Sequence, residues 1–157
     1  MTENHTSEVK MPNAQIKFIF NHCNDVKAMR RFYGELIGLK ETAFNEEWGY
    51  LCFRTGGLDF MYFQSTEPVP VVREFASQPG YEGGTLSMVS WAIEVPEPDF
   101  AAAVKRLKDA GVTSFNDKPD WRQDSYWGYS VLDPMGMTVE VYVSPTEKPE
   151  NKEWIED

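Results

Sequence analysis

The chain has 157 residues, 41% hydrophobic and 14% aromatic, with a formal net charge of −10. That length suits one domain around a single core, and the acidic balance excludes nucleic-acid phosphate and anionic membrane surfaces as expected partners. No apolar run reaches the roughly 18 residues of a membrane helix, and residues 1–15 hold no apolar secretion segment, so a soluble, cytoplasmic protein is expected.

In chain order, residues 1–14 are polar and aperiodic and read as a flexible N-terminal tail. Residues 16–20 form a strand candidate. Asn24 or Asp25 then caps a helix whose apolar positions Val26, Met29, Tyr33, Leu36 and Ile37 fall at helical spacing, and Gly38 stops it. Short β runs follow at 40–44, 48–54 and 58–64, with Thr55-Gly56-Gly57 as the hairpin turn between the last two. Six prolines and glycines (Pro68, Pro70, Pro79, Gly80, Gly83, Gly84) mark a connector at 66–84. A strand at 86–95 leads to a helix opened by Pro98, with Phe100, Val104 and Leu107 as its apolar stripe and Gly111 after its end. Strands near 112–115, 126–132 and 137–143 complete the series, and the charged, proline-punctuated residues 145–157 read as a flexible C-terminal tail. Cys23 and Cys52 lack metal-binding spacing and read as reduced packing residues.

The two halves echo each other. Trp48-Gly49-Tyr50 returns as Trp127-Gly128-Tyr129, and the step to the next turn glycine is nine in both copies (57 − 48 and 136 − 127). Each half reads as βαβββ, giving an α+β fold in which modules 15–65 and 85–144 form one domain, 15–144, around a cleft between paired sheets. Strand alternation puts Phe18, Phe20 and His22 on one face, Trp48, Tyr50 and Cys52 on one face of the third strand, and Met61 and Phe63 on one face of the fourth. Which face lines the cleft and which lies under the helix stays open at this level.

The run Phe32-Tyr33-Gly34-Glu35-Leu36-Ile37-Gly38-Leu39 and the later Asp133-Pro134-Met135-Gly136-Met137-Thr138-Val139-Glu140-Val141, in that order within a duplicated frame, resemble the glyoxalase/bleomycin-resistance/extradiol-dioxygenase (vicinal oxygen chelate) superfamily over about residues 16–144. The resemblance implies a metal slot from the first and fourth strands of each half. On this chain the slots fall at Phe18 (or Lys17), Met61, Ser90 (or Trp91) and Glu140. One carboxylate among Phe, Met and Ser is a poor donor set for an ion that needs about three protein ligands, so no metal is expected; Glu140 and His22 are the only candidate donors.

The reading that follows is a metal-free protein of bleomycin-resistance type that sequesters a small aromatic or cationic molecule. Its candidate binding residues are Phe18, Phe20, His22, Trp48, Tyr50, Met61, Ser90, Trp127, Tyr129 and Glu140. Aromatic faces recognise cations, and Glu140, otherwise costly to bury, would gain a counter-ion or else need a raised pKa, a protein partner or an open, solvated cleft. Trp121, Arg122, Asp124 and Tyr126, expected in a loop before the seventh strand, rim the same opening or form an exposed connector. The alternative is a metal-dependent lyase, isomerase or dioxygenase with Glu140 as ligand or general base. The resemblance also implies a homodimer.

Overall fold

The carboxylate of Asp25 accepts hydrogen bonds from the backbone N–H groups of Lys27 (2.9 Å) and Ala28 (3.1 Å), a helix cap worth about 1 kcal/mol. In the computed structural model, which describes residues 14–78, 84–86 and 90–156, this cap starts helix α1 (Val26–Arg30), which continues as a π-helical stretch, Arg31–Ile37. The helix follows strand β1 (Phe18–Cys23) and leads into β2 (Lys40–Asn45), β3 (Tyr50–Thr55) and β4 (Leu58–Gln64). These strands form a sheet in the order β1-β4-β3-β2, with β1 parallel to β4. The second half repeats the plan with β5 (Trp91–Glu94), α2 (Glu97–Asp109), β6 (Asp120–Arg122), β7 (Tyr126–Leu132) and β8 (Thr138–Val143), in the sheet order β5-β8-β7-β6. The architecture is the expected pair of βαβββ modules.

Each sheet is buried on its helix-bearing side, where α1 and its continuation contribute Val26, Met29, Phe32 and Tyr33 and α2 contributes Phe100, Ala103, Val104 and Leu107 to one core. A polar joint ties the modules together inside it. The Tyr33 hydroxyl donates to Asp133 Oδ2 (2.7 Å) and accepts from Trp91 Nε1 (3.0 Å), and the Tyr62 hydroxyl lies 3.2 Å from that of Tyr33. Asp133 Oδ1 meanwhile accepts from the backbone N–H groups of Met135 (2.8 Å) and Met137 (2.9 Å). The buried carboxylate is thereby satisfied on both oxygens, as its burial demands.

Three expectations need correcting. The strand predicted at 112–115 survives only as an isolated bridge between Ser114 and Val131, and regular pairing begins at β6, in what the sequence suggested was a loop. The turn after β6 has Gln123 and Asp124 at φ 49° and 51°, a left-handed pair that sequence normally announces with Gly or Asn. The strand predicted at 86–95 is regular only over Trp91–Glu94; residues 87–89 lie outside the described residues, as do residues 1–13 of the expected N-terminal tail. The C-terminal segment, expected to be flexible, is docked. Trp154 packs edge-on against Phe100 (5.4 Å) and Trp127 (5.2 Å), and Glu153 bridges to Asp120. One large aromatic outweighs a charged, proline-rich composition.

Candidate functional site

The sheet face away from the helices is set in each module by strand register. In the first module Cys52 lies opposite Met61 and Tyr50 opposite Phe63, while β1 places Phe20 beside Met61 and His22 beside Phe63. Directly opposed residues share a face. The result is an aromatic cluster: Phe18 to Phe20 at 4.8 Å, Phe20 to Phe63 at 5.8 Å, Tyr50 to Phe63 at 5.3 Å and His22 to Phe63 at 6.5 Å. The Tyr50 hydroxyl lies 3.6 Å from the Met61 sulfur. Phe18 and Phe20 leave 53% and 56% of their surface exposed, unusual for two adjacent phenyl rings.

The second module places Ser130 opposite Glu140 and Gly128 opposite Tyr142. Here the nine-residue repeat misleads. Cys52 to Met61 is nine positions (61 − 52), but Ser130 to Glu140 is ten (140 − 130), because the first hairpin turns through two residues between Thr55 and Leu58 and the second through five between Leu132 and Thr138. A one-residue slip exchanges the faces of a strand. The structural counterparts of Tyr50 and Cys52 are therefore Gly128 and Ser130. Trp127 and Tyr129, expected in the cleft, stand on the opposite face and are buried in the core. Trp48 lies in the turn before β3, 80% exposed, its backbone N–H donating to Asn45 Oδ1 (2.9 Å). Phe18, Phe20, His22, Tyr50 and Met61 are brought together on the first face, and Glu140 takes the position on the second that Met61 holds on the first, while Ser90 lies just before β5.

Glu140 does not wait for a cation, because Arg122 supplies one. Arg122 Nη1 donates to Glu140 Oε1 at 2.7 Å and to Ser130 Oγ at 3.1 Å, and Arg122 Nη2 donates to Asp120 Oδ2 at 3.3 Å. The guanidinium is 2% exposed and Glu140 7%. Such a pair persists in a low-dielectric site when its geometry is good and further hydrogen bonds, here to Ser130 Oγ and Asp120 Oδ2, support it. Gly128 makes room for it: a Cβ there would sit 2.6 Å from Glu140 Oε1 and 2.9 Å from Arg122 Cδ. Burial, and then the negative charge of Glu140, push the Tyr126 hydroxyl up to about 12, so it stays protonated and able to donate to that carboxylate.

Residues 75–78 of the connector cross part of this face. Asn24 holds the connector's start through Val69, donating to the carbonyl (2.8 Å) and accepting from the N–H (2.7 Å). Further on, the Ala76 N–H donates to Thr138 Oγ1 (2.8 Å), the Ser130 hydroxyl donates to Gln78 Oε1 (2.8 Å), and Phe75 meets Phe115 edge-on at 5.3 Å. Sequence reasoning left Arg122 between a rim and an exposed connector and missed Gln78 altogether. Arg122 was findable, since it alternates with Trp121 just as Tyr126 does with Trp127; nothing in the connector's composition marks Gln78.

The metal slots implied by the resemblance do not fit an ion. Their one strong donor, Glu140, is engaged by Arg122, and among the described residues no three His, Cys, Asp or Glu side chains group as a metal site. Likewise, among these residues no helix is long and apolar enough to cross a membrane.

No protein-family model matches the chain, and no curated protein does. Solved structures do. A glyoxalase/dioxygenase from Nostoc punctiforme superposes with a TM-score of 0.63 at 20% identity, covering 88% of this chain and 98% of that one. The fosfomycin resistance protein FosX from Mesorhizobium loti gives 0.56 at 14% identity over 87% and 96%. A lactoylglutathione lyase from Agrobacterium tumefaciens gives 0.52 at 15% over 85% and 96%. The chain thus has the fold of the glyoxalase/bleomycin-resistance/dioxygenase superfamily. At such identities the likeness is one of fold, and function must come from the site.

Proposed function

We propose that this chain is a binding protein of bleomycin-resistance type that sequesters a small, flat aromatic molecule on the open face of its first sheet, as a cytoplasmic homodimer. The observation that carries this reading is the pair Phe18 and Phe20, stacked edge to face yet more than half exposed, backed by Phe63, Tyr50 and Met61. Exposed aromatic rings of this kind gain apolar burial and about 0.5–1.5 kcal/mol per ring pair when a planar ligand covers them. His22 and the Tyr50 hydroxyl supply polar contacts at its edge.

Of the aromatic and cationic ligands the sequence suggested, the aromatic one is better supported. A cationic ligand was to pair with Glu140, and Arg122 already holds that carboxylate. The metal-dependent alternative asks the same occupied group to serve as ligand or base. The neighbours include a fosfomycin resistance protein and a lyase, so antibiotic resistance and catalysis both have precedents on this fold. The composition of the first face favours sequestration.

Native mass spectrometry and elemental analysis of protein purified without chelator test the reading. A dimer with less than about 0.1 divalent ion per chain is expected, since structural and catalytic sites retain metal tightly. About one ion per chain, lost in Glu140→Gln, would overturn it.

A further inference from the structure

We infer that residues 75–78 of the connector are a built-in occupant of the second sheet's open face, so that the chain offers an external ligand one face rather than two. The inference rests on the reading of the first face given above. The residues that the strap and Arg122 meet are closed, whereas the two phenyl rings on the edge strand of the first face are open. Phe18 and Phe20 are 53% and 56% exposed, whereas Thr138 and Ser130 are 1%, Arg122 2% and Glu140 7% exposed. Ala76 and Gln78 are themselves buried, at 3% and 6%.

The occupant is matched to the face chemically. A backbone N–H from Ala76 meets the Thr138 hydroxyl oxygen, and the side-chain carbonyl of Gln78 accepts from the Ser130 hydroxyl. The Ser130 oxygen in turn accepts from Arg122, so strap, hydroxyl, guanidinium and Glu140 form one hydrogen-bonded chain. Upstream, the Val72 carbonyl backs onto Gly136, where a Cβ would fall 2.0 Å from it, fixing the strap's approach to the β7–β8 turn. Displacing the strap leaves buried hydroxyls unpaired unless the newcomer brings the same amide donor and acceptor. A flat aromatic brings neither. The face therefore recognises a peptide-like amide, its own, and directs aromatic molecules to the first sheet.

Arginine modification by phenylglyoxal, read residue by residue by peptide mass mapping, tests this. In the native chain Arg122 should react at least tenfold more slowly than the exposed Arg54, in line with a closed local equilibrium, and in Gln78→Ala/Thr138→Val within about threefold of it. A cooperative unfolding transition verifies that the variant is folded, and Gln78→Ala alone replaces it otherwise, with an intermediate Arg122 rate. Equal protection of Arg122 in native and variant chains, or free reaction in the native chain, overturns the inference. A parallel Nile red titration separates the two readings: about one dye per chain is expected in the native chain, as for a single apolar site, with loss in Phe20→Ser. Dye binding indifferent to Phe20→Ser sinks the first-face reading and leaves the Arg122 result to decide the strap.

Discussion

Set side by side, the open faces of the two sheets use one backbone for opposite ends. Where the first carries Phe18, Phe20, Tyr50, Met61 and Phe63, the second carries Ala92, Gly128, Ser130, Glu140 and Tyr142. Large apolar side chains left open mark a surface that something else covers. Ser130 and Glu140, closed by Arg122 from β6 and Gln78 from the connector, mark a part of the surface that the chain completes itself. The lesson is that a duplicated fold need not duplicate its site.

The largest expected effect breaks the second face. Glu140→Ala leaves the buried Arg122 guanidinium with only the longer Asp120 contact and should cost about 3–5 kcal/mol of stability in urea denaturation; a cost under about 1 kcal/mol would mean that the pair is solvated. Next comes the pair of tryptophans that the repeat equates. Trp127→Ala should cost about 3–5 kcal/mol as a core deletion, and Trp48→Ala no more than about 0.5 kcal/mol as a surface change. Equal costs would restore the nine-residue register that the hairpins contradict.

A smaller effect concerns the joint between the modules. Burial is the main cause holding the Asp133 carboxyl above its ordinary 3.8. A raised folded pKa means that the folded chain binds the proton more tightly than the unfolded one. The stability linked to this group is therefore full below the ordinary carboxylate range and declines as pH rises through the folded value. Asp133→Asn should remove that decline from the pH–stability profile; an unchanged slope would assign it to other carboxyls.

Much of the fold was legible because helix stripes, caps and turn glycines act locally: Asp25, Gly38, Pro98 and the Thr55-Gly56-Gly57 turn sit where their chemistry predicts. Half of the site was legible for the same reason, since Phe18, Phe20 and His22 need only strand parity to share a face. The rest depends on pairings between distant residues. Gln123 and Asp124 adopt a left-handed turn without a glycine to signal it, and so hid β6 and the inward course of Arg122. Hairpins of two and five residues shifted Trp127 and Tyr129 to the core. Gln78 meets Ser130 across 52 positions, a contact no local pattern encodes.

Fluorescence titration of Nile red against the native chain, Phe20→Ser and Glu140→Gln tests the central claim most directly. Loss of one exposed ring from the binding face should weaken the dye at least tenfold, about 1.4 kcal/mol or more, while Glu140→Gln, on the closed face, should leave affinity within about twofold. Unchanged affinity in Phe20→Ser together with loss in Glu140→Gln would contradict it and move the site to the second sheet.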